Sequence, residues 1–356
     1  MKKNKEFLYK YLNAYSPVGQ EEEGQAIWRD YIDPFVDEIY TDAYGTSVGT
    51  LFGTINKSTA LNVVIEAHCD EIAWIITNIE SDGMIRVKRH GGSDNMIAPS
   101  KTVMIHTHKG TKVNGVFGWP AIHTRKTSVE MGPDQHELWV DTGLSNKKAV
   151  KKAGVEIGNL ITFDDQFHEM GDFYVGRSLD NKIGGYIIAE ALRKIVENNI
   201  KLPYNLHVVN SVQEEVGLHG AKKIAKVLQA DLALVHDVCH STDTPKINKA
   251  KDGDNKAGAG PCIEYTSQNH RGINKMLRKV AGANKIPVQL TVGSMGNDTV
   301  AFFMENTPTA IVASPLRYMH STVEMCNKKD VKAAIELFIK FLQELTPKKI
   351  NKINNK

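Results

Sequence analysis

Apolar and polar positions follow two different patterns along this chain. Before about residue 72 and after residue 165, short apolar runs typical of buried strands alternate with longer amphipathic stretches typical of helices. The strand-like runs are LNVVIEAH (61–68), YNLHVV (204–209), DLALVH (231–236) and TAIVAS (309–314). The helix-like stretches are 20–33, 181–198, 220–230, 274–283 and 330–345. Strands that alternate with helices predict an α/β fold, in which an open sheet has helices on both faces.

The middle of the chain has the other pattern. Between about residues 72 and 165, glycine and polar turns separate short strand-like runs, and only SNKKAVKKAG is typical of a helix. The runs are AWIITNI, MIRVKR, TVMIHT, KVNGVFG, ELWVDTG and NLITF. Short strands at short intervals predict a small β-barrel or sandwich. We therefore predict a β-rich domain at 72–165, inserted into an α/β domain made of residues 1–71 and 166–356.

Composition and charge narrow the class of protein. The 356 residues are enough for two domains, and 41% hydrophobic with 24% charged residues is ordinary for a soluble protein. A net charge of +3 gives no reason to expect nucleic acid as a partner. No apolar stretch approaches 18 residues, so we expect no membrane segment. The first 20 residues lack the apolar core of a signal peptide, and the four cysteines form no CxxC pair, so we expect reduced thiols in the cytoplasm.

Residues with metal-ligating side chains follow the ends of the predicted strands or precede a helix. They lie in the segments HCDE (68–71), LDN (179–181), EE (214–215), HD (236–237) and RYMHS (317–321). In an open α/β sheet, ligands bind at the carboxyl ends of the strands. A single such histidine carries little weight, but five segments that together supply imidazole and carboxylate groups suit a pair of divalent metal ions.

The five ligand candidates match the needs of a two-metal hydrolase. His68 and Asp237 would hold one ion, Glu215 and His320 would hold the other, and Asp180 would bridge them. The same ligands serve zinc and cobalt, so the sequence does not separate the two metals.

The adjacent carboxylates of the EE segment can divide two tasks. If Glu215 binds metal, Glu214 is free to take a proton from the water between the ions, the nucleophile, and to pass it to the leaving amine. Asp70, two residues after His68, could accept the ring N–H of His68 and fix its tautomer. Glu214 and Asp70 are therefore the candidates for catalytic residues beside the metal ligands.

The motifs of the chain are similar, in kind and order, to those of the M42 metallo-aminopeptidases. That family includes glutamyl aminopeptidase-like enzymes, tetrahedral dodecameric aminopeptidases and relatives once described as endoglucanases. The resemblance rests on HCDE, GRSLDNKIGG, VQEEVGLHGA, DVCHSTDTP, GAGP and LRYMHSTVE. It implies removal of N-terminal residues from peptides, two zinc or cobalt ions, and the same ligand and base positions. It also implies a PDZ-like inserted domain and self-association of dimers into a dodecamer.

Two segments depart from the pattern of the family. MGNDT (295–299) stands where many members have GGTDA, and GAGP (258–261) stands where many have GKGP. Both are expected near the substrate, so the preferred N-terminal residue stays open. The role of loop 119–136, with His123, also stays open: in such assemblies this loop can approach the active site of a neighbouring subunit.

Two alternatives to an M42-like aminopeptidase remain. M20-like carboxypeptidases and deacylases share the metal pattern, but their HxD motif lies within a few dozen residues of the bridging aspartate. Here 110 residues separate Asp70 from Asp180, which leaves room for the β-rich domain. A non-catalytic shell subunit that only binds peptides is the second alternative, but such proteins usually lose a ligand or the base, and none is missing here.

Overall fold

The protein is described by a computed structural model that covers residues 3–125, 132–293 and 296–355. Within these ranges the helices are α1 (Lys3–Asn13), α2 (Glu22–Ile32), α3 (Lys147–Lys152), α4 (Leu179–Glu197), α5 (His219–Leu228), α6 (Lys249–Asp252), α7 (Arg271–Ala283), α8 (Thr299–Met304), α9 (Lys328–Glu344) and α10 (Pro347–Ile353). Short 3-10 helices lie at Asp33–Phe35, Ile122–Thr124 and Gln135–Glu137.

The strands divide between a large sheet and a barrel. Those described are β1 (Glu38–Thr41), β2 (Ser47–Leu51), β3 (Asn62–His68), β4 (Ala73–Ile79), β5 (Ile85–His90), β6 (Thr102–His106), β7 (Lys112–Phe117), β8 (Trp139–Asp141), β9 (Leu160–Phe163), β10 (His168–Met170), β11 (Phe173–Gly176), β12 (Asn205–Ser211), β13 (Leu232–His240), β14 (Cys262–Tyr265), β15 (Gln289–Val292), β16 (Thr309–Arg317) and β17 (Glu324–Asn327).

The large sheet is open and mixed. Its strand order is β1-β2-β12-β3-β13-β16-β17-β11-β10, and β14 branches from β16 to pair with β15. The central strands β12, β3, β13 and β16 run parallel to one another. Their carboxyl ends therefore meet at one edge of the sheet, where α/β proteins place their ligands.

Helices cover both faces of this sheet, as the alternation of strands and helices predicts. On one face, α1, α2, α4, α7 and α9 share one core with alternate β3 residues such as Val63 and Ile65, and α4 contacts β3 directly. On the other face, Ile224 of α5 and Phe302 of α8 pack against Val64. Because side chains alternate along a strand, the next residues on the face of Val64 are Glu66 and His68. The face with fewer helices thus carries the polar residues at the sheet edge.

The middle of the chain forms a closed six-stranded barrel of order β4-β5-β8-β7-β6-β9. All six strands predicted there are confirmed, and every described pairing between them is antiparallel. Trp74 and Phe117 pack edge to face at its centre, with their ring centroids 5.2 Å apart. The barrel has a core of its own, separate from that of the sheet. Its likeness to a PDZ domain stays a prediction.

The helices and the cysteines bear on the expected location of the protein. None of the helices in residues 3–125, 132–293 and 296–355 has the length and apolar character needed to cross a membrane. All four cysteines are buried free thiols (Cys69, Cys239, Cys262 and Cys326).

Candidate active site

The predicted site residues meet at the carboxyl edge of the parallel strands. His68 is the last residue of β3, and Asp237 lies in β13 on the same face of the sheet. Asp180 lies at the start of α4, where its backbone angles (φ −81°, ψ 106°) are not helical. Three elements that are far apart in sequence therefore present their side chains to one point.

These residues and two more form two groups that could each hold a metal ion. His68, Asp180 and Asp237 make the first group, and Asp180, Glu215 and His320 make the second. In each group the candidate ligand atoms lie within 4.8 Å of one another. Glu215 comes from the turn after β12 and His320 from the turn after β16. The sequence therefore names residues that the fold brings together, and Asp180 belongs to both groups.

The two oxygens of Asp180 face different groups. Its Oδ1 lies 3.3 Å from His68 Nε2, and its Oδ2 lies 3.4 Å from His320 Nε2. On the outer sides, His68 Nε2 is 3.7 Å from Asp237 Oδ1, and His320 Nε2 is 3.2 Å from Glu215 Oε1. The carboxylate of Asp180 therefore lies between the two groups of candidate ligands.

The charges of the site show that it favours cations. Burial lowers the pKa of His68, but contacts with Asp180, Asp237 and Asp70 outweigh this effect and raise the pKa well above its usual value. Burial likewise opposes the charged form of His320, yet Asp180 and Glu215 raise its pKa to about 11. The carboxylates thus hold positive charge in the site even where burial resists it, which is what a cation-binding cage requires.

The carboxylate of Asp70 holds the turn that carries the two adjacent glutamates. Its Oδ1 accepts the backbone N–H of Glu214 and its Oδ2 accepts that of Glu215, both at 3.0 Å. The Oδ1 atom of Asp70 also lies 3.6 Å from His68 Nδ1, slightly longer than a hydrogen bond, so the orientation of the His68 ring by Asp70 stays a prediction. Asp70 is therefore placed to orient the Glu214–Glu215 turn more directly than the His68 ring.

Glu214 lies beside the metal-ligand candidates without belonging to either group. It lines a cavity of about 1540 Å³ together with His68, Asp180, Asp237 and other residues. Burial is the main reason why the pKa of Glu214 is raised to about 10; nearby carboxylates add to the effect and His68 opposes it. Its carboxyl group is thus poised to hold a proton inside the cavity.

Two residues that the sequence did not single out complete the frame of the site. Glu324 accepts the backbone N–H of His320 at 2.8 Å and that of Asp180 at 3.1 Å. It therefore links the backbones of two residues of the second group. The carbonyl oxygen of Gly92, in the segment after β5, lies 3.2 Å from His320 Nδ1. Glu324 is the last residue of the motif LRYMHSTVE, so the sequence offered a reason to expect it near the site, whereas nothing in the sequence around Gly92 suggests a role.

A buried ion network lies behind the start of α4. Glu71 forms ion pairs with Arg177 and with Lys182, whose Nζ lies 3.3 Å away, and accepts the backbone N–H of Ser16 at 2.8 Å. All three charged side chains are almost fully buried. The network fixes the segment before Asp180 against the segment that follows β3.

Of the two segments that depart from the family pattern, MGNDT reaches the cavity through Gly296. GAGP does not line the cavity as expected; its Gly258 and Gly260 donate their backbone N–H groups to Asp330, both at 2.7 Å. Asp298 is buried, and its Oδ2 lies 3.0 Å from the hydroxyl of Ser211, which also contacts Glu66 at 2.6 Å. Met295 of MGNDT and residues 126–131 of loop 119–136 lie outside the described residues. His123 is exposed, in the 3-10 helix Ile122–Thr124.

Comparison with known proteins now identifies the family. The model of the family described as M42 glutamyl aminopeptidase matches residues 49–337. FrvX of Escherichia coli (strain K12) is 32% identical over 356 residues, and the match covers 98% of this chain and 97% of that protein.

Solved structures of aminopeptidases are also similar to this chain. The aminopeptidase APDkam598 from Desulfurococcus kamchatkensis has a TM-score of 0.90 and 29% identity, with 98% of this chain and 97% of the other covered. The Pyrococcus horikoshii TET1 peptidase, described as assembling into a tetrahedron or a large octahedral shell, has a TM-score of 0.83 and 26% identity, with 96% and 100% covered. The family match spans most of the chain, so the protein belongs to the M42 aminopeptidases, which are hydrolases of peptide bonds.

Proposed function

We propose that the protein is a dinuclear metal-dependent aminopeptidase that removes N-terminal residues from peptides. The observation that carries this proposal is the position of Asp180, whose two carboxylate oxygens face two different groups of ligands. M42 aminopeptidases are metal-dependent, and the family match therefore supports a metal role for these groups.

The residues fit two zinc or cobalt ions. The donor set consists of imidazole nitrogens and carboxylate oxygens, which both metals accept. His68 and Asp237 would hold one ion, Glu215 and His320 the other, with Asp180 between them. When bound, such ions lower the pKa of a water molecule to provide a nucleophile at neutral pH and polarise the carbonyl group of the substrate.

The protein's own groups have distinct tasks in this proposal. Glu214 accepts a proton from the attacking water and donates it to the amine that leaves. It is suited to this because it faces the cavity, and because the two metal ions, when bound, would lower the pKa of this carboxyl group, which burial raises. Asp70 holds the backbone of Glu214 and Glu215 so that one side chain binds metal and the other remains free.

We further propose a division of the chain into two domains. Residues 1–71 and 166–356 form the catalytic domain, and residues 72–165 form an inserted, PDZ-like domain through which subunits associate. The closed barrel with its separate core supports this division, and the described assemblies of the TET1 peptidase support a homo-oligomer of dimers that build a dodecamer. Four buried free thiols suit a reducing compartment such as the cytoplasm.

The adjacent glutamates provide the test of the mechanism. Glu214→Gln keeps the shape of the side chain but removes its ability to accept the proton, so kcat on leucyl-p-nitroanilide should fall by about 10²- to 10⁴-fold while two metal ions remain bound. Glu215→Gln removes a charged ligand, so metal affinity should fall first, and added metal should restore part of the activity. Exchanged phenotypes would reverse the two roles, and near-wild-type activity of both variants would place the catalytic site elsewhere.

A further inference from the structure

Glu264 of β14 lies on the sheet face that carries the candidate metal ligands. Cys262, two residues earlier, packs against Cys239 and Ala313. Side chains alternate along strands, so Glu264 shares the face of Cys262, and Asp237 shares the face of Cys239. Both carboxylates line the same cavity.

The strand register fixes how far apart these two carboxylates are. Cys262 and Asp237 both pair with Ala313, from opposite sides of β16. With strands about 4.8 Å apart and residues about 3.3 Å apart along a strand, the Cα atoms of Glu264 and Asp237 are separated by roughly 12 Å. The side chain of Glu264 and a long side chain of a substrate held at the metal site can together span this separation.

The carboxyl group of Glu264 has no partner among the residues that the structure describes. The side chain is only 3% exposed, yet it makes no hydrogen bond or ion pair there. Burial, with a smaller contribution from Asp237, raises its pKa to about 8. Its oxygen atoms are not enclosed by protein but reach the cavity, so a ligand with a positive charge could pair there with a carboxylate that no described residue neutralises.

The surroundings of Glu264 suit a side chain with an apolar stem and a charged end. A Cβ atom on Gly293 would lie 1.7 Å from Glu264 Oε2, so only a glycine at that position leaves room for the carboxylate. Ile247, Leu290 and Val292 line the same cavity and supply apolar surface for aliphatic groups. Lysine and arginine combine these two properties.

We propose that Glu264 binds the ammonium or guanidinium group of the substrate's N-terminal side chain, so that the enzyme prefers peptides that begin with lysine or arginine. This proposal rests on the proposed aminopeptidase function and deepens it. Lys222, Lys249 and Lys251 also line the cavity and would favour acidic residues instead. Lys222 donates to the carbonyl oxygen of Gly217 at 2.9 Å, and Lys249 is paired with Asp254 at 2.7 Å. All three lysines are exposed, so their attraction is weaker than that of a buried carboxylate.

A binding experiment tests the proposal without turnover. Isothermal titration calorimetry of the metal-loaded protein would compare the amino alcohols L-lysinol and L-norleucinol, which contain no amide bond to hydrolyse and have similar stems, but only lysinol has a terminal charge. The wild type should bind lysinol on the order of 10- to 100-fold more tightly, the range expected for a charge-assisted hydrogen bond. Glu264→Gln and Glu264→Leu should abolish this preference, with melting temperatures to check that both variants fold. Equal affinities in the wild type, or a preference that survives both substitutions, would overturn the proposal.

A kinetic experiment tests the same residue during catalysis. The ratio of kcat/KM for lysyl- to leucyl-p-nitroanilide should exceed one in the wild type and fall in Glu264→Gln. Asp252→Asn, an exposed carboxylate on the same cavity, is the matched control and should keep the wild-type ratio. A wild type that prefers glutamyl-p-nitroanilide would assign specificity to the lysines and refute the role of Glu264. If no p-nitroanilide is hydrolysed, the proposed function fails, while the comparison of the two amino alcohols still decides the role of Glu264.

Discussion

Two buried cations, Arg177 and Lys182, both pair with the carboxylate of Glu71. Among the described residues no other anion pairs with either of them, and the substitution Glu71→Gln removes this one. Arg177 and Lys182 are 3% and 0% exposed. Loss of one partner from a buried ion network leaves uncompensated charge and costs about 3–5 kcal/mol. We therefore expect Glu71→Gln to be one of the more destabilising isosteric changes in the chain.

The pKa of Glu71 gives an independent magnitude. Burial opposes ionisation, but Arg177 and Lys182 outweigh it and lower the pKa from 4.5 to about 2. A shift of that size corresponds to about 3 kcal/mol of stability at pH 7, in agreement with the first figure. Because the folded pKa is depressed, this contribution is complete above pH 4.5 and decreases as the pH falls toward 2. At pH 3 about 1.4 kcal/mol remains.

Thermal unfolding is the assay. With an unfolding entropy of about 2.1 cal/mol/K per residue, a loss of about 3 kcal/mol lowers the melting temperature by about 4 °C at pH 7. The gap between variant and wild type should shrink by more than half at pH 3. Glu38→Gln, which breaks the exposed pair with Lys57, is the control and should change little. An unchanged melting temperature at pH 7, or a gap of equal size at both pH values, would refute the reasoning.

Two further predictions concern the contribution of the barrel. Gly92→Ala would place a Cβ atom 2.3 Å from His320 Nδ1, so the ring must move, and equilibrium dialysis should show the affinity for one of two metal ions reduced by about 10- to 100-fold. The control is Gly282→Ala in α7, where the added Cβ atom would meet nothing within 4 Å, and it should leave both ions bound. Equal metal affinities of the two variants would contradict this role of Gly92. Light scattering should show an assembly larger than a dimer that becomes smaller when residues 72–165 are deleted, and a monomeric wild type at micromolar concentration would count against self-association.

The main elements of the fold could be predicted because their apolar patterns are local. The runs at 61–68 and 204–209 coincide closely with β3 and β12, and the run at 309–314 covers the first two thirds of β16. The helix α1 is not among the predicted helices, although Phe7, Leu8, Tyr11 and Leu12 have helical spacing, because it is short and begins with four polar residues. β13 was predicted too short: it continues through polar residues to His240 because β16 pairs with it as far as Leu316.

The residues of the candidate site could be predicted where the type of side chain and its position at a strand end indicate metal binding. Histidines and carboxylates at strand ends identified both groups, since the parallel strands bring those ends together. The position of Gly92 could not be predicted, because 228 residues separate it from His320 and only the packing of the barrel on the sheet brings them into contact. The hydrogen bonds of Asp70 depend in the same way on the local path of the Glu214–Glu215 turn.

The most direct test of the central claim is a metal titration of activity. Protein stripped with a chelator would receive zinc or cobalt in steps while hydrolysis of leucyl-p-nitroanilide and bound metal are followed together. We predict that activity reaches its plateau at two ions per chain, and that Asp180→Ala binds less metal and loses most activity. A plateau at one ion per chain, full activity without metal, or two tightly bound ions in Asp180→Ala would contradict a dinuclear centre bridged by Asp180.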